Sequence, residues 1–166
     1  MNTLPILVKP YVRDYFLRQE KIACPPKDDS NPIIERRHWF GRVISSIISF
    51  HPLDNNELPD DYRIPSKISK LVTMDIEVTF PVKVHQLDTH HFLQMGYALE
   101  AMFEQHLIYY CMGYFSYVLN CQAAVNKFFA EYEVSEEHLS KDAAYKMVER
   151  YYKEKKELRM KTLVGK

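Results

Sequence analysis

The sequence predicts an α+β fold that is predominantly helical. A small N-terminal strand-and-helix part packs on a long central helix, and a helix-turn-helix-like bundle closes the C-terminus. Three observations carry this. All nine prolines fall at or before Pro81. Proline has no N–H donor and interrupts helices, so the rest of the chain reads as a helical half. Residues 74–84 alternate apolar and polar with period two, the mark of a half-buried strand. From Phe92 to Leu119, apolar residues recur at three-and-four spacing, the mark of a helix. The expected division is a mixed part at 1–86, the central helix at 87–120 and the C-terminal part at 121–166, together one compact domain.

Leu4 to Val8 reads as a short strand that stops before Pro10, and Pro10 suits the first turn of a helix. Val12, Tyr15, Phe16 and Gln19 then keep helical spacing, predicting a helix over 10–20. Residues 24–31 are loop by composition. Trp39, Val43, Ile44, Ile47 and Ile48 share one helical face over 38–49, although their β-branched members also suit a strand. Residues 51–65 hold Pro52, Asp54, Asn55, Asn56, Pro59, Asp60 and Asp61, an exposed loop. In the strand at 74–84, Ile76, Val78, Phe80 and Val82 oppose Asp75, Glu77, Thr79 and Lys83, with Pro81 at an edge or bulge. Asp88 or Thr89 is placed to cap the central helix. Asn120 ends it and caps a helix over 121–132. A short helix at 136–139 comes after Ser135, and a last helix starts after Ser140 and runs to 157.

Composition bounds the function. The 166 residues are 46% hydrophobic and 27% charged, with 22 basic and 22 acidic side chains. A zero net charge excludes a wholly basic nucleic-acid binder. The neutral sum conceals a pattern. Residues 1–86 carry 12 basic and 11 acidic side chains, residues 87–140 one and seven, and residues 141–166 nine and four. The middle is acidic and the end is basic. Within the acidic middle, Glu100 and Glu104 stand one helical turn apart, a like-charge pair that calls for compensation. Arg36, Arg37 and Arg42 are the expected partners.

Cys24, Cys111 and Cys121 make an odd number without Cys-x-x-Cys spacing, which fits a reducing, cytoplasmic setting. The apolar stretches at 4–8 and 107–119 fall short of the roughly 20 residues that cross a bilayer, so no membrane association is expected. Only four glycines occur, so neither a dinucleotide fingerprint nor a Walker-type loop is present. His85, His90, His91, His106 and Cys111 lack the spacing of a metal set. Cys111 lies among Tyr109, Tyr110 and Met112 and reads as a buried, inert thiol rather than a nucleophile. Asp60 and Asp61 with Asp75 and Glu77 have the residue types for Mg²⁺, but an exposed polar strand face accounts for them. The expectation is no enzyme, no catalytic residue, no metal and no cofactor.

One constellation points to function. Lys146, Arg150 and Lys153 stand at i, i+4 and i+7 of the last helix and share a face, with Lys141 and Lys156 near it and Tyr145 and Tyr152 flanking it. Phe128, Phe129, Val134, Leu139, Ala144 and Met147 are placed to fill a core beneath. Two helices that brace a third with an outward cationic face form a helix-turn-helix unit. Each cation set against a phosphate releases a counterion, and an arginine can also read guanine. A solvated surface helix has the same pattern.

The stretch from Val125 to Lys156, with Phe-Phe-Ala-Glu-Tyr, Val-Ser-Glu-Glu-His-Leu-Ser and Ala-Tyr-Lys-Met-Val-Glu-Arg-Tyr, resembles the C-terminal helix-turn-helix of small uncharacterised phage and mobile-element proteins. The opening Leu-Val-Lys-Pro-Tyr-Val-Arg-Asp-Tyr-Phe is similar in style. Glu133-Val134 stands where the best-known repressors have a glycine turn. Some members of that group look like transcription regulators. The cationic face and the resemblance together lead to the expectation of a non-enzymatic DNA-binding protein, a regulator or accessory factor of a phage or mobile element, with Lys141, Lys146, Arg150, Lys153 and Lys156 as the residues that meet double-stranded DNA. A homodimer is expected, paired through the Phe92–Leu119 helix. The alternative is a structural or adaptor protein that binds other proteins through its helical half.

Overall fold

A computed structural model describes residues 2–23, 31–50, 70–84, 87–118 and 120–164. Among them are three strands and five α-helices: β1 (Asn2–Val8), α1 (Pro10–Ala23), β2 (Ile33–Ile34), α2 (Trp39–Phe50), β3 (Val72–Val78), α3 (Thr89–Val118), α4 (Cys121–Glu131) and α5 (Lys141–Val164). The fold is α+β and predominantly helical. The loops expected at 24–31 and 51–65 fall almost wholly outside the described residues, as do Asp60, Asp61, His85 and the side chain of Lys156. The chain forms two compact units, Met1–Glu100 and Ala101–Lys166.

In the first unit, the sheet order is β1-β3-β2. β1 and β3 run antiparallel, with Leu4 opposite Ile76, Ile6 opposite Met74 and Val8 opposite Val72. Period-two alternation puts Leu4, Ile6, Val8, Met74, Ile76 and Val78 on the buried face, each contributing about 1.5–3 kcal/mol when fully buried. Asp75 is exposed and Glu77 half-buried on the other face. Pro5 is tolerated because β1 lies at the sheet edge. β3 spans Val72–Val78 rather than the predicted 74–84. Asn2 pairs with Val78 at the end of the ladder, and its side chain reaches past it to donate to the Val82 carbonyl at 3.0 Å.

β2 is not predicted by the sequence pattern. Its two residues pair in parallel with β3, Ile33 opposite Glu77 and Ile34 opposite Val78. Ile34 is fully buried. α1 buries Tyr11, Val12, Tyr15 and Phe16, and the helix runs slightly past its predicted end at residue 20. α2 is a helix, resolving the helix-or-strand choice. Among its described side chains, Phe40 and Ile44 are fully buried. Phe40 packs edge-on against Phe16 with ring centroids 5.5 Å apart.

α3 begins at a cap formed by Asp88. Its Oδ1 accepts from the His91 N–H at 3.0 Å and lies 2.6 Å from His91 Nδ1. Burial pushes the Asp88 carboxyl up, but hydrogen bonds from the backbone and ring of His91 outweigh this and hold it below its usual range. Further along the helix, Gly96 meets β1. A Cβ placed there would sit 2.0 Å from the Leu7 carbonyl oxygen, so only glycine lets the helix approach this closely. This contact brings two charges together. Lys9 is two residues beyond Leu7, Glu100 is one turn beyond Gly96, and the two form an ion pair that Tyr11 Oη joins at 3.3 Å. Glu100 is therefore compensated by Lys9 rather than by the expected Arg36, Arg37 or Arg42.

In the second unit, Phe103, Leu107 and Cys111 of α3 bury at successive turns. They share a core with Ala124, Val125, Phe128 and Phe129 of α4, Val134 and Leu139 of the connection, and Ala144 and Val148 of α5. Of the α5 residues expected to face inward, Ala144 and Val148 are fully buried, and Met147 and Tyr151 are half-buried. Both α4 and α5 start at a cap. The Asn120 side chain accepts from the Ala123 N–H at 3.0 Å, and Ser140 Oγ accepts from the Ala143 N–H at 3.2 Å. α4 ends with the Val134 N–H donating to the Phe129 carbonyl at 3.1 Å and Glu133 at φ 52°. This is a Schellman ending with glutamate where glycine is usual. The segment predicted as a helix at 136–139 is a hydrogen-bonded turn. The Ser135 carbonyl accepts from both the His138 and Leu139 N–H groups at 3.1 Å.

Candidate nucleic-acid interface

α5 begins at Lys141, where Ser140 caps it, and its packing decides which residues face outward. With Ala144 and Val148 anchored in the core, Lys146, Arg150 and Lys153 are exposed. Helical periodicity puts these three on one face, as predicted. Lys141 is half-buried at the head of the helix. Lys156 continues the helix, its side chain outside the described residues.

The cations are not bare. Lys146 Nζ lies 2.7 Å from Asp142 Oδ2 and Lys153 Nζ lies 3.0 Å from Glu149 Oε1. Lys141 pairs with Glu136 in the turn. The Asp142 carboxylate raises the Lys146 ammonium above its usual range, so it stays charged. These acid partners are legible in the sequence, since Asp142–Lys146 and Glu149–Lys153 are both i, i+4 pairs in the favourable order. Lys146 and Lys153 remain 66% and 69% exposed. Pairs this open are weak and yield to a competing anion.

Two depressions flank the face. On one side, a cleft of about 180 Å³ runs between α4 and α5, lined by Gln122, Val125, Asn126, Lys141, Asp142 and Tyr145. Charge and apolar spacing do not single out Gln122 or Asn126; exposed amides one helical turn apart are the available signal. On the other side, a groove of about 370 Å³ is lined by Glu104, Ile108, Tyr109, Met147, Arg150 and Glu154 among others. Tyr109 beside it is 58% exposed and Met112 36%.

The histidines and cysteines take separate places. His90 Nε2 lies 2.7 Å from the Gln94 amide, and His91 completes the α3 cap. His106 packs edge-on against Phe128 and Tyr132. Its burial lowers its basicity, partly offset by Glu131. Tyr110 Oη donates to Glu131 at 2.7 Å, and burial and this carboxylate hold the phenol well above its usual range. Burial pushes the Cys111 thiol up to about 12, with Cys121 adding to the shift, so Cys111 is protonated at neutral pH and a poor nucleophile. Among the described residues, no group of three His, Cys, Asp or Glu side chains is placed to hold a metal ion. Nor is any helix among them long and apolar enough to cross a membrane.

A scan of protein-family models, a search of curated proteins and a search of solved structures each return no match to this chain.

Proposed function

We propose that the chain is a non-enzymatic DNA-binding protein, a transcription regulator or accessory factor of a phage or mobile element, working in the cytoplasm. Lys141, Lys146, Arg150, Lys153 and Lys156 of α5 contact the phosphates of double-stranded DNA. The observation that supports this reading is the shared outward face of Lys146, Arg150 and Lys153 over a buried Ala144–Val148 seam. Phosphates replace Asp142 and Glu149 as partners, and counterion release from the duplex drives the exchange.

Fluorescence anisotropy with random duplex DNA across a salt series tests it. Changing Lys146, Arg150 and Lys153 together to alanine should weaken binding and flatten the salt slope by roughly 3 units. An unchanged slope in the triple variant would move the interface elsewhere, and no binding by the native protein at low salt would end the reading.

The exposed Tyr109 and Met112 favour a second reading, in which α3 pairs with protein. A homodimer seam there suits DNA recognition, because a two-fold dimer doubles the interface. Light scattering that gives a monomer at tens of micromolar would remove the seam. An adaptor role would remain if a partner bound the Tyr109 groove while DNA did not bind at all.

A further inference from the structure

The cleft between α4 and α5 has an unusual lining for a space between two packed helices. Of its six residues, only Val125 is apolar; Gln122, Asn126, Lys141, Asp142 and Tyr145 all carry hydrogen-bonding groups. Gln122 and Asn126 are one turn apart, so their amides project the same way from α4; Asn126 is exposed. Among the described residues, neither amide is engaged in a side-chain hydrogen bond. Each offers a carbonyl acceptor beside an NH₂ donor.

The cleft also adjoins the cationic face. Asp142 lines the cleft and is the partner of Lys146, so the two features share an edge. A duplex docked with its phosphates along Lys146, Arg150 and Lys153 would lie next to the cleft. Phosphate contacts fix register, and side chains that reach base edges carry sequence information. A side-chain amide pairs with the N6 donor and N7 acceptor of adenine in the major groove, a match no other base edge offers.

We propose that Gln122 and Asn126 are the base-reading residues of this interface, with adenine as the base they select in duplex DNA. Lys141 and Tyr145 form the opposite wall, Lys141 against phosphate and the Tyr145 ring against the neighbouring base. This inference rests on the DNA-binding reading above, and it assigns sequence preference to α4 while α5 supplies the charge.

The test is selection from a random-sequence duplex library by the full chain, with anisotropy on the selected and random duplexes. The native protein should enrich sites with adenine at fixed positions and bind them at least tenfold more tightly than random DNA. Q122A with N126A should keep the random-duplex affinity and the salt slope, and lose about tenfold in discrimination. N126D should shift the preference at one position from adenine to cytosine, whose N4 amine donates to a carboxylate. Both variants change side chains at the surface of α4, and circular dichroism checks their fold. If the double alanine variant enriches the same sites as the native protein, base reading by the cleft is overturned while DNA binding stands. An equal loss on random and selected duplexes makes the amides phosphate contacts and also overturns it. If the native protein binds no duplex at low salt, the DNA-binding reading falls first and takes this inference with it.

Discussion

Replacing Gly96 with alanine puts a methyl group where the Leu7 carbonyl oxygen already lies. The ideal Cβ would be 2.0 Å from that oxygen and 3.1 Å from its carbon, against about 3.3 Å for close carbon–oxygen contact. Relieving this clash requires helix and strand to separate by about 1 Å. Neither yields readily. Leu7 is paired with Thr73 in the β1–β3 ladder, and Met95 and Leu99 on either side of Gly96 are fully buried. Overpacking of this kind costs about 1–3 kcal/mol or more, and two backbones offer less give than two side chains. Alanine returns about 1 kcal/mol as the better helix former. A net loss of about 2 kcal/mol is expected, which lowers the melting temperature of a unit this size by roughly 10 °C. Gly113 of the same helix is the control, since a Cβ there meets nothing within 4 Å. G113A should raise stability by up to about 1 kcal/mol. Thermal melts followed by circular dichroism read both. Equal shifts, or a G96A protein as stable as the native one, would refute the close approach of α3 to β1.

Other perturbations have definite signs. Removing the α3 cap with D88A should cost about 1 kcal/mol at neutral pH, measured by urea unfolding. The Asp88 carboxyl is held below its unfolded value, so its contribution is present above about pH 4 and is lost as pH falls through the folded value. D88N keeps a capping oxygen but does not titrate, so its stability should change less than that of the native protein on acidification; parallel curves would show that Asp88 is not linked to folding. E133G should stabilise the chain by up to about 1 kcal/mol, because φ 52° costs a glutamate what it does not cost glycine. A destabilised E133G protein in a denaturant titration would mean that the glutamate side chain contributes more than the backbone conformation costs.

Local chemistry makes much of this structure readable. Pro10, Asp88, Asn120 and Ser140 mark helix starts because their effects act within one turn, and Ile76 and Val78 mark a strand because alternation is local. β2 escapes because two residues carry no periodicity, and what makes them a strand is Glu77 and Val78, far along the chain. Ala144 and Val148 are legible as inward residues of α5 from their spacing, but that Met147 and Tyr151 stop at half-burial depends on the rotational setting of α5, which the neighbouring helices decide. The cationic face of Lys146, Arg150 and Lys153 comes from spacing alone. The cleft does not, because it needs α4 and α5 brought side by side, and no pattern within either helix announces that Gln122 and Asn126 will lie across from Lys141 and Tyr145.

The register of the sheet also has a consequence for synthesis. β1 leaves the ribosome well before β3, yet its ladder partner ends at Val78. At about 5–20 residues per second, the stretch between them takes roughly 4–14 s to translate. Through that interval, Leu4, Ile6 and Val8 have no sheet to enter and the backbone groups of β1 stay unmatched, the kind of edge that aggregates. The α-helices of the second unit close over contacts near in sequence and form quickly. The vulnerable moment in the life of this chain therefore falls between the emergence of β1 and that of β3, and the segment that most needs a chaperone is β1.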